Sequence, residues 1–408
     1  MRLRRLHLFA AGAVSLSLVA TSALSAAHAA NASAAGQSIY TQPASLAGDY
    51  PGEILQSQPV SIEAVGLSTP YEAWQLQYVS ENVSGALEAD VATVVRPTAP
   101  SQTPRLLSYQ PAIDSDSATC QPSYVLTEPP AVDGYESLAG LESFGAVSTG
   151  VSLGYTVVIP DFEGPDFAWT AGVEEGYATL DGIRAAENFA PLGLDGSATP
   201  VGLMGYSGGS QASEFAAEEA PTYAPQLKIV GAAIGGLPVN IDHIAAKADG
   251  GLFSGIYFAA AVGIARAYPQ IDIDSLLNSA GLQMQQAIGA MCIGQFVPTY
   301  AYQYIESYTN GGLNPLGLPA VQQVIAADTM GVIAVPTIPM QIYMATDDEL
   351  VVTPDVTSLV DRYCGAGDTI QYIEFPLADH ISAEAEGLPG AIAYIQARFD
   401  GEPAPSTC

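Results

Sequence analysis

Only two histidines, His243 and His380, lie outside the first 29 residues, which carry His7 and His28. A serine stands in the pentapeptide Gly205-Tyr206-Ser207-Gly208-Gly209. A serine hydroxyl is a weak nucleophile until a neighbouring imidazole takes its proton, and a carboxylate must hold that imidazole in the productive tautomer. Three choices follow: a serine, a base and an acid.

The G-x-S-x-G pattern alone is weak in a chain with 40 glycines, and Gly150-Val151-Ser152-Leu153-Gly154 also fits it. Context separates the two, because a nucleophile elbow is a tight strand-to-helix turn. Ser207 follows the apolar run Val201-Gly202-Leu203-Met204 and precedes a helical pattern from Gln211 to Ala220 that stops at Pro221. Ser152 has helix-like sequence before it and strand-like sequence after it, so it reads as a loop residue. An elbow at Ser207 also sets the Gly208 N–H at a helix N-terminus, where it and the helix dipole favour an oxyanion.

His380 follows the strand-like Ile373-Glu374-Phe375-Pro376, in the order serine, acid, histidine that α/β-hydrolases use. His243 precedes every acid that fits this order and reads as a surface or capping residue. The acid is expected in the loop after the strand Met340–Met344, which runs Ala345-Thr346-Asp347-Asp348-Glu349-Leu350-Val351. Asp348 is the first choice, since Asp-x-x-Val returns a valine to the core, and Asp347 is the alternative. Asp379 abuts His380 and reads as a solvated loop carboxylate.

The elements that position these residues alternate. Apolar alternation from about Tyr78 to Val95, and the short runs Leu106–Tyr109, Tyr155–Ile159, Val201–Met204, Lys228–Ile234 and Ile338–Tyr343, read as strands. Val173–Phe189 has helical spacing. Strands alternating with helices predict an α/β fold with a mostly parallel central sheet. From about 240 to 335 the rhythm changes to Ala-rich helical stretches, Gly255–Ala267 and Ile273–Met291, which predict a helical cap or lid insertion. The expected layout is a signal peptide at 1–29, a flexible tail at 30–48, a core at 49–239 and 336–408, and the cap at 240–335.

The leader reading rests on Arg2, Arg4 and Arg5, an apolar run from Leu8 to Leu24, and Ala27-His28-Ala29 at the cleavage point. Its removal takes three arginines and no acid, shifting the formal net charge from −31 to about −34. Such a surface disfavours nucleic acid and anionic membranes. No other stretch is long and apolar enough to span a bilayer. Four cysteines in an exported chain predict two disulfides. Of three possible pairings, Cys120–Cys292 with Cys364–Cys408 is favoured because the latter pins the chain end. Neither a metal nor another cofactor is implied: few histidines remain, the cysteines are better used as bridges, and no phosphate-cradling glycine loop is present.

With these residues placed, the chain from about Pro51 to Cys408 resembles the secretory lipase family of α/β-hydrolases. The matching stretches begin with Ser108-Tyr109-Gln110, Asp114, Cys120-Gln121-Pro122-Ser123-Tyr124 and Asp161-Phe162-Glu163-Gly164. They continue through Glu174-Glu175-Gly176, Leu180-Asp181-Gly182-Ile183-Arg184 and the Ser207 pentapeptide. Asp348-Glu349-Leu350-Val351 and Ala378-Asp379-His380-Ile381-Ser382-Ala383-Glu384 complete them. The resemblance implies a triad of Ser207, Asp348 and His380. It implies an oxyanion hole in which Asp114 joins the Gly208 N–H; a carboxyl donates only when protonated, so its pKa would have to be raised. The cysteine pattern of the family matches the favoured pairing.

One departure stands out. The family's fungal enzyme continues past its last cysteine into a flap over the site, whereas this chain ends at Cys408, so a more open cleft is expected. The implied activity is hydrolysis of neutral carboxylic esters of lipids or small molecules by a secreted, monomeric enzyme. A serine peptidase or an acyltransferase on the same residues is the alternative, and a catalytically silent surface protein is a third. Leu252, Phe253, Ile256 and Phe258 are the cap residues expected to line an acyl channel.

Overall fold

In the computed structural model, which describes residues 38–64, 67–127 and 138–408, the main sheet starts with β1 (Ile54–Val60). The leader read over residues 1–29, and residues 30–37 of the tail, lie outside the described residues. After a small hairpin of β2 (Glu63–Ala64) and β3 (Leu67–Ser68), the alternating stretch forms β4 (Glu72–Glu81) and β5 (Leu87–Arg96). The remaining strands are β6 (Leu106–Gln110), β7 (Thr156–Pro160), β8 (Pro200–Tyr206), β9 (Lys228–Gly235), β10 (Met340–Ala345) and β11 (Ile370–Phe375). They lie in the order β1-β4-β5-β7-β6-β8-β9-β10-β11, antiparallel as far as β7 and parallel from there on. Every residue of β6, β7, β8 and β10 is buried, which is why these strands read as unbroken apolar runs.

The helices are α1 (Pro122–Val125), α2 (Leu138–Ser152), α3 (Gly172–Asn188), α4 (Gly208–Tyr223), α5 (Ile241–Ala248) and α6 (Ser254–Ala267). There follow α7 (Ile273–Leu276), α8 (Ser279–Ile288), α9 (Ile293–Tyr300), α10 (Pro319–Ala327), α11 (Thr353–Ala366) and α12 (His380–Phe399). Side chains alternate across the sheet. Leu106 and Leu203 share one core with Leu180 and Ile183 of α3, Phe215 of α4 and Leu359 of α11. Their neighbours Leu107 and Met204 share the opposite core with Val147 of α2 and Tyr394 and Ile395 of α12. Helices thus cover both faces, the α/β-hydrolase arrangement.

Helices α5 to α10 are inserted between β9 and β10, where the alternation was expected to lapse. The stretch Ile273–Met291 is not one helix, because Asn278 breaks it: its side chain accepts the Ala280 and Gly281 N–H groups at 2.9 and 3.1 Å. Pro221 does not end α4 either. It falls in the last turn of α4, where only two further residues follow, and its ring removes one backbone hydrogen bond there. Disulfides join Cys120 to Cys292 and Cys364 to Cys408, tying the α1 region to the start of α9 and α11 to the chain end. Among the described residues no helix is long and apolar enough to cross a membrane.

Candidate active site

Ser207 sits between the last residue of β8 and the first of α4, at φ 52° and ψ −125°. A side chain pays for that conformation, and glycines make the surrounding turn possible. A Cβ on Gly209 would lie 1.9 Å from the Gln110 carbonyl oxygen, and one on Gly208 would lie 1.8 Å from Asp114 Oδ1. The two glycines therefore let β6 and the following loop close onto the serine.

Three of the expected residues meet there. Ser207 Oγ is 2.9 Å from His380 Nε2, and His380 Nδ1 is 2.7 Å from Asp348 Oδ2. Asp348 Oδ1 accepts the Leu350 and Val351 N–H groups, each at 2.9 Å. Burial alone would raise the Asp348 carboxyl. The His380 hydrogen bond and charge, with those two N–H groups, outweigh it and hold the carboxyl below its ordinary value. The imidazole is fixed through its own backbone as well: the His380 N–H donates to Glu349 Oε2 at 2.8 Å, and Tyr206 Oη donates to the His380 carbonyl at 2.6 Å.

Asp114 lies across the serine from this chain. Its backbone is left-handed, at φ 45°, and its side chain is buried against Gly208. Trp169 bonds to the carboxyl, while Oδ1 has no partner. Burial pushes the group up to about 7, against the opposing pull of His380 and Trp169, so a proton is retained far above the usual carboxylate range. A partnerless buried oxygen that can carry a proton is a hydrogen-bond donor waiting for an acceptor.

The other candidates fall elsewhere. Asp347 is exposed. His243 is exposed on α5, with Nδ1 2.8 Å from Asp355 Oδ2. Ser152 is the last residue of α2 rather than part of a loop, its hydroxyl bonded to the Thr149 carbonyl at 2.8 Å. Asp379 is more than a solvated acid: it caps α12, accepting the Ser382 N–H at 2.7 Å while its own N–H donates to Ser382 Oγ at 2.8 Å.

Two spaces open from the serine. A wide cavity of about 620 Å³ is lined by Ser207, His380 and Asp114, with Leu107, Met204 and Leu388 among its walls. A narrow one of about 50 Å³ is lined by Ser207, Gly208, Asp114, Ile241 and Tyr257. It shares Ile241, Ala245, Tyr257 and Ala260 with an apolar space of about 70 Å³ inside the helical insertion. Phe253 and Ile256 line the wide cavity and Phe258 the inner space. Leu252 lines neither; it stands 48% exposed in the turn before α6.

Several residues around the site have no role that the sequence assigns. Lys247 of α5 donates to the Asp348 and Val351 carbonyls at 2.6 and 2.8 Å. Glu142, Glu384 and Tyr206 line the wide cavity. The one available signal was composition, since Lys247 is one of only two lysines in the chain.

The sheet order, the strained serine at a strand-to-helix turn and the helical insertion after β9 define an α/β-hydrolase. The chain belongs to the secretory lipase family, whose model matches residues 139–407, and thereby to the carboxylic ester hydrolases. It is 34% identical over 375 residues to Lipase A of Moesziomyces aphidis, a match covering 89% of this chain and 79% of that protein. It is 36% identical over 370 residues to a probable inactive lipase of Mycobacterium tuberculosis, covering 89% of this chain and 82% of that one. The crystal structure of Candida antarctica lipase A in its closed state superposes with a TM-score of 0.84 at 33% identity, covering 92% of this chain and 89% of that one. The rice cell wall degrading esterase LipA of Xanthomonas oryzae shares the fold, with a TM-score of 0.66 at 15% identity over 86% of this chain and all of that one.

Proposed function

We propose that this chain is a secreted lipase or esterase that cleaves neutral carboxylic esters through an acyl-enzyme on Ser207. The observation that carries the reading is the unbroken hydrogen-bonded line from Ser207 Oγ through His380 to Asp348, at 2.9 and 2.7 Å. Export is supported by the leader at residues 1–29 and the secretory character of the family.

In the first half-reaction His380 Nε2 takes the Ser207 proton as Oγ bonds to the ester carbon, and Asp348 stabilises the imidazolium that forms. The carbonyl oxygen becomes an oxyanion, met by the Gly208 N–H at the start of α4 and by protonated Asp114. The bond from carbon to the alcohol oxygen then breaks, and His380 gives its proton to that oxygen. In the second half-reaction water loses a proton to His380 and attacks the acyl carbon; the bond from that carbon to Ser207 Oγ then breaks, His380 returns its proton to Oγ, and the acid is released.

This reading also divides the substrate. His380 must reach the leaving oxygen, and it lines the wide cavity but not the narrow one. The alcohol therefore leaves on the wide side, and the acyl chain enters the narrow apolar path under α5 and α6. On this reading the insertion at 240–335 acts as a cap that shapes the acyl path.

The test is hydrolysis of p-nitrophenyl esters from acetate to palmitate, with Ser207→Ala as control. Turnover that vanishes in the variant is expected. No Ser207-dependent turnover on any of these esters would overturn the assignment and place this chain with catalytically silent relatives.

A further inference from the structure

The wide cavity is built mainly of apolar side chains, yet four carboxyl side chains stand in its wall: Asp114, Glu349, which accepts the His380 N–H, and the pair Glu142 and Glu384. Glu384 follows His380 by four residues on α12, so the two share one helix face and open on the same space. Glu142 comes from α2 and is held in place: Oε2 accepts the Ala112 N–H at 2.8 Å, and the Tyr109 hydroxyl bonds to the same side chain. Asp114, whose Oδ1 is buried without a partner, lines the cavity too. Among the described residues the lining holds no lysine or arginine.

Carboxyl groups are costly in an apolar wall unless something pairs with them. Glu142 and Glu384 neighbour one another and no lysine or arginine of the lining neutralises them, so an alkyl leaving group would set hydrocarbon against this polar pair. We propose that Glu142, Glu384 and Tyr109 form an alcohol-side subsite that selects esters whose leaving alcohol carries further hydroxyl groups, such as partial glycerides. The proposal rests on the ester-hydrolase reading above and on the alcohol leaving through the His380 side.

Hydroxyl groups fit this set better than cations do. Burial first, and the neighbouring Glu384 charge second, push the Glu142 carboxyl well above its ordinary value; burial likewise raises Glu384. The pair thus keeps a proton to donate while presenting carboxylate oxygens that accept, and Tyr109 adds a phenol. A hydroxyl both donates and accepts, matching both kinds of partner. A cationic head accepts no hydrogen bond, and a quaternary one donates none either, so it would leave the shared proton without an acceptor.

The test compares kcat/KM for glycerol 1-monooctanoate, methyl octanoate and octanoylcholine, which share one acyl group and differ in the alcohol. The wild-type protein is expected to favour the glyceride over the methyl ester by about tenfold or more, the worth of one or two hydrogen bonds to a charged group. Glu384→Leu should cut that ratio by about tenfold. Glu142→Gln, which keeps an oxygen for the Ala112 N–H, should lower the same ratio by about threefold. A ratio unchanged in both folded variants overturns the proposal, as does a wild-type preference for octanoylcholine that Glu384→Leu removes. If none of the three esters is cleaved in a Ser207-dependent way, the ester-hydrolase reading fails first and takes the subsite with it.

Discussion

The ammonium of Lys247 donates to the backbone carbonyl of Asp348 at 2.6 Å, from a helix that lies 101 residues earlier in the chain. The same ammonium reaches the Val351 carbonyl at 2.8 Å, so one cation closes the turn that presents Asp348 to His380. The turn is held from outside by α5 and from inside by the carboxylate, which accepts the Leu350 and Val351 N–H groups. A helix of the insertion therefore sets the position of the acid.

Replacing Lys247 with Met keeps the stem and removes both donations. We expect kcat on a p-nitrophenyl ester to fall about tenfold with KM changed less than twofold, the pattern of a positioning defect felt in the transition state. Active-site titration with a fluorophosphonate separates this from simple loss of folded protein. A structural defect lowers the number of reactive serines, whereas a positioning defect lowers turnover per reactive serine. Full kcat per titrated site would remove Lys247 from the account.

The two adjacent aspartates give a sharper contrast. Asp348 is buried against His380 and Asp347 is exposed. Asp348→Asn should lower kcat by about 10³–10⁴, because an amide presents a donor where the His380 N–H needs an acceptor. Asp347→Ala should leave kcat within about twofold, since an exposed side chain outside the line contributes little. The reverse order of effects would reassign the acid.

Asp114 predicts a pH effect of definite sign. With burial lifting the carboxyl to about 7, the proton it would donate to the oxyanion is present below that pH and lost above it. Wild-type kcat/KM is therefore expected to decline on the alkaline side with an apparent pKa near 7. Asp114→Asn, whose amide donates at any pH, should flatten that limb, and Asp114→Ala should lose about 10²–10³ in kcat throughout. An alkaline limb unchanged in Asp114→Asn would show that the carboxyl does not act as the donor.

These residues were not equally visible in the sequence. Ser207, His380 and Asp348 carry their signal locally: a glycine-flanked serine after an apolar run, and an acid and a histidine each just past a strand. The buried strands were readable for the same reason, as continuous apolar runs. What stayed hidden depends on contacts between distant segments. Lys247 looks like any surface lysine until α5 folds over residues 345–351. Glu142 and Glu384 look like solvated charges on helices until α2 and α12 meet beside the serine. The break at Asn278 was missed because an asparagine inside an apolar, Ala-rich stretch reads as a weak helix residue, whereas here its side chain starts a new helix.

Glu219 opens the broadest prediction, on stability. Both of its carboxyl oxygens are buried without a partner on α4, packed against Gly176 of α3, and burial followed by the Glu218 charge raises the group to about 10. It has company: burial lifts Glu174 and Asp328 to about 7 and Asp181 to about 6, on α3 or bonded to its first turn, and Asp161, beside α1, to about 7. For an acid whose folded pKa lies above its unfolded value, the folded state binds the proton more tightly. Its contribution is complete below the unfolded pKa, near 4, and is lost as pH rises through the folded value. Melting temperature should therefore peak near pH 4–5 and fall steadily through pH 6–8, opposite to the acid lability of proteins whose carboxylates are paired with cations. Glu219→Gln, a neutral mimic of the protonated acid, should raise stability at pH 8 by on the order of 2 kcal/mol and change it little at pH 4.5. Thermal melts of both proteins at the two pH values decide it. A stabilisation equal at both, or a melting temperature that climbs from pH 5 to pH 8, would mean these carboxyls are ionised in the folded protein after all.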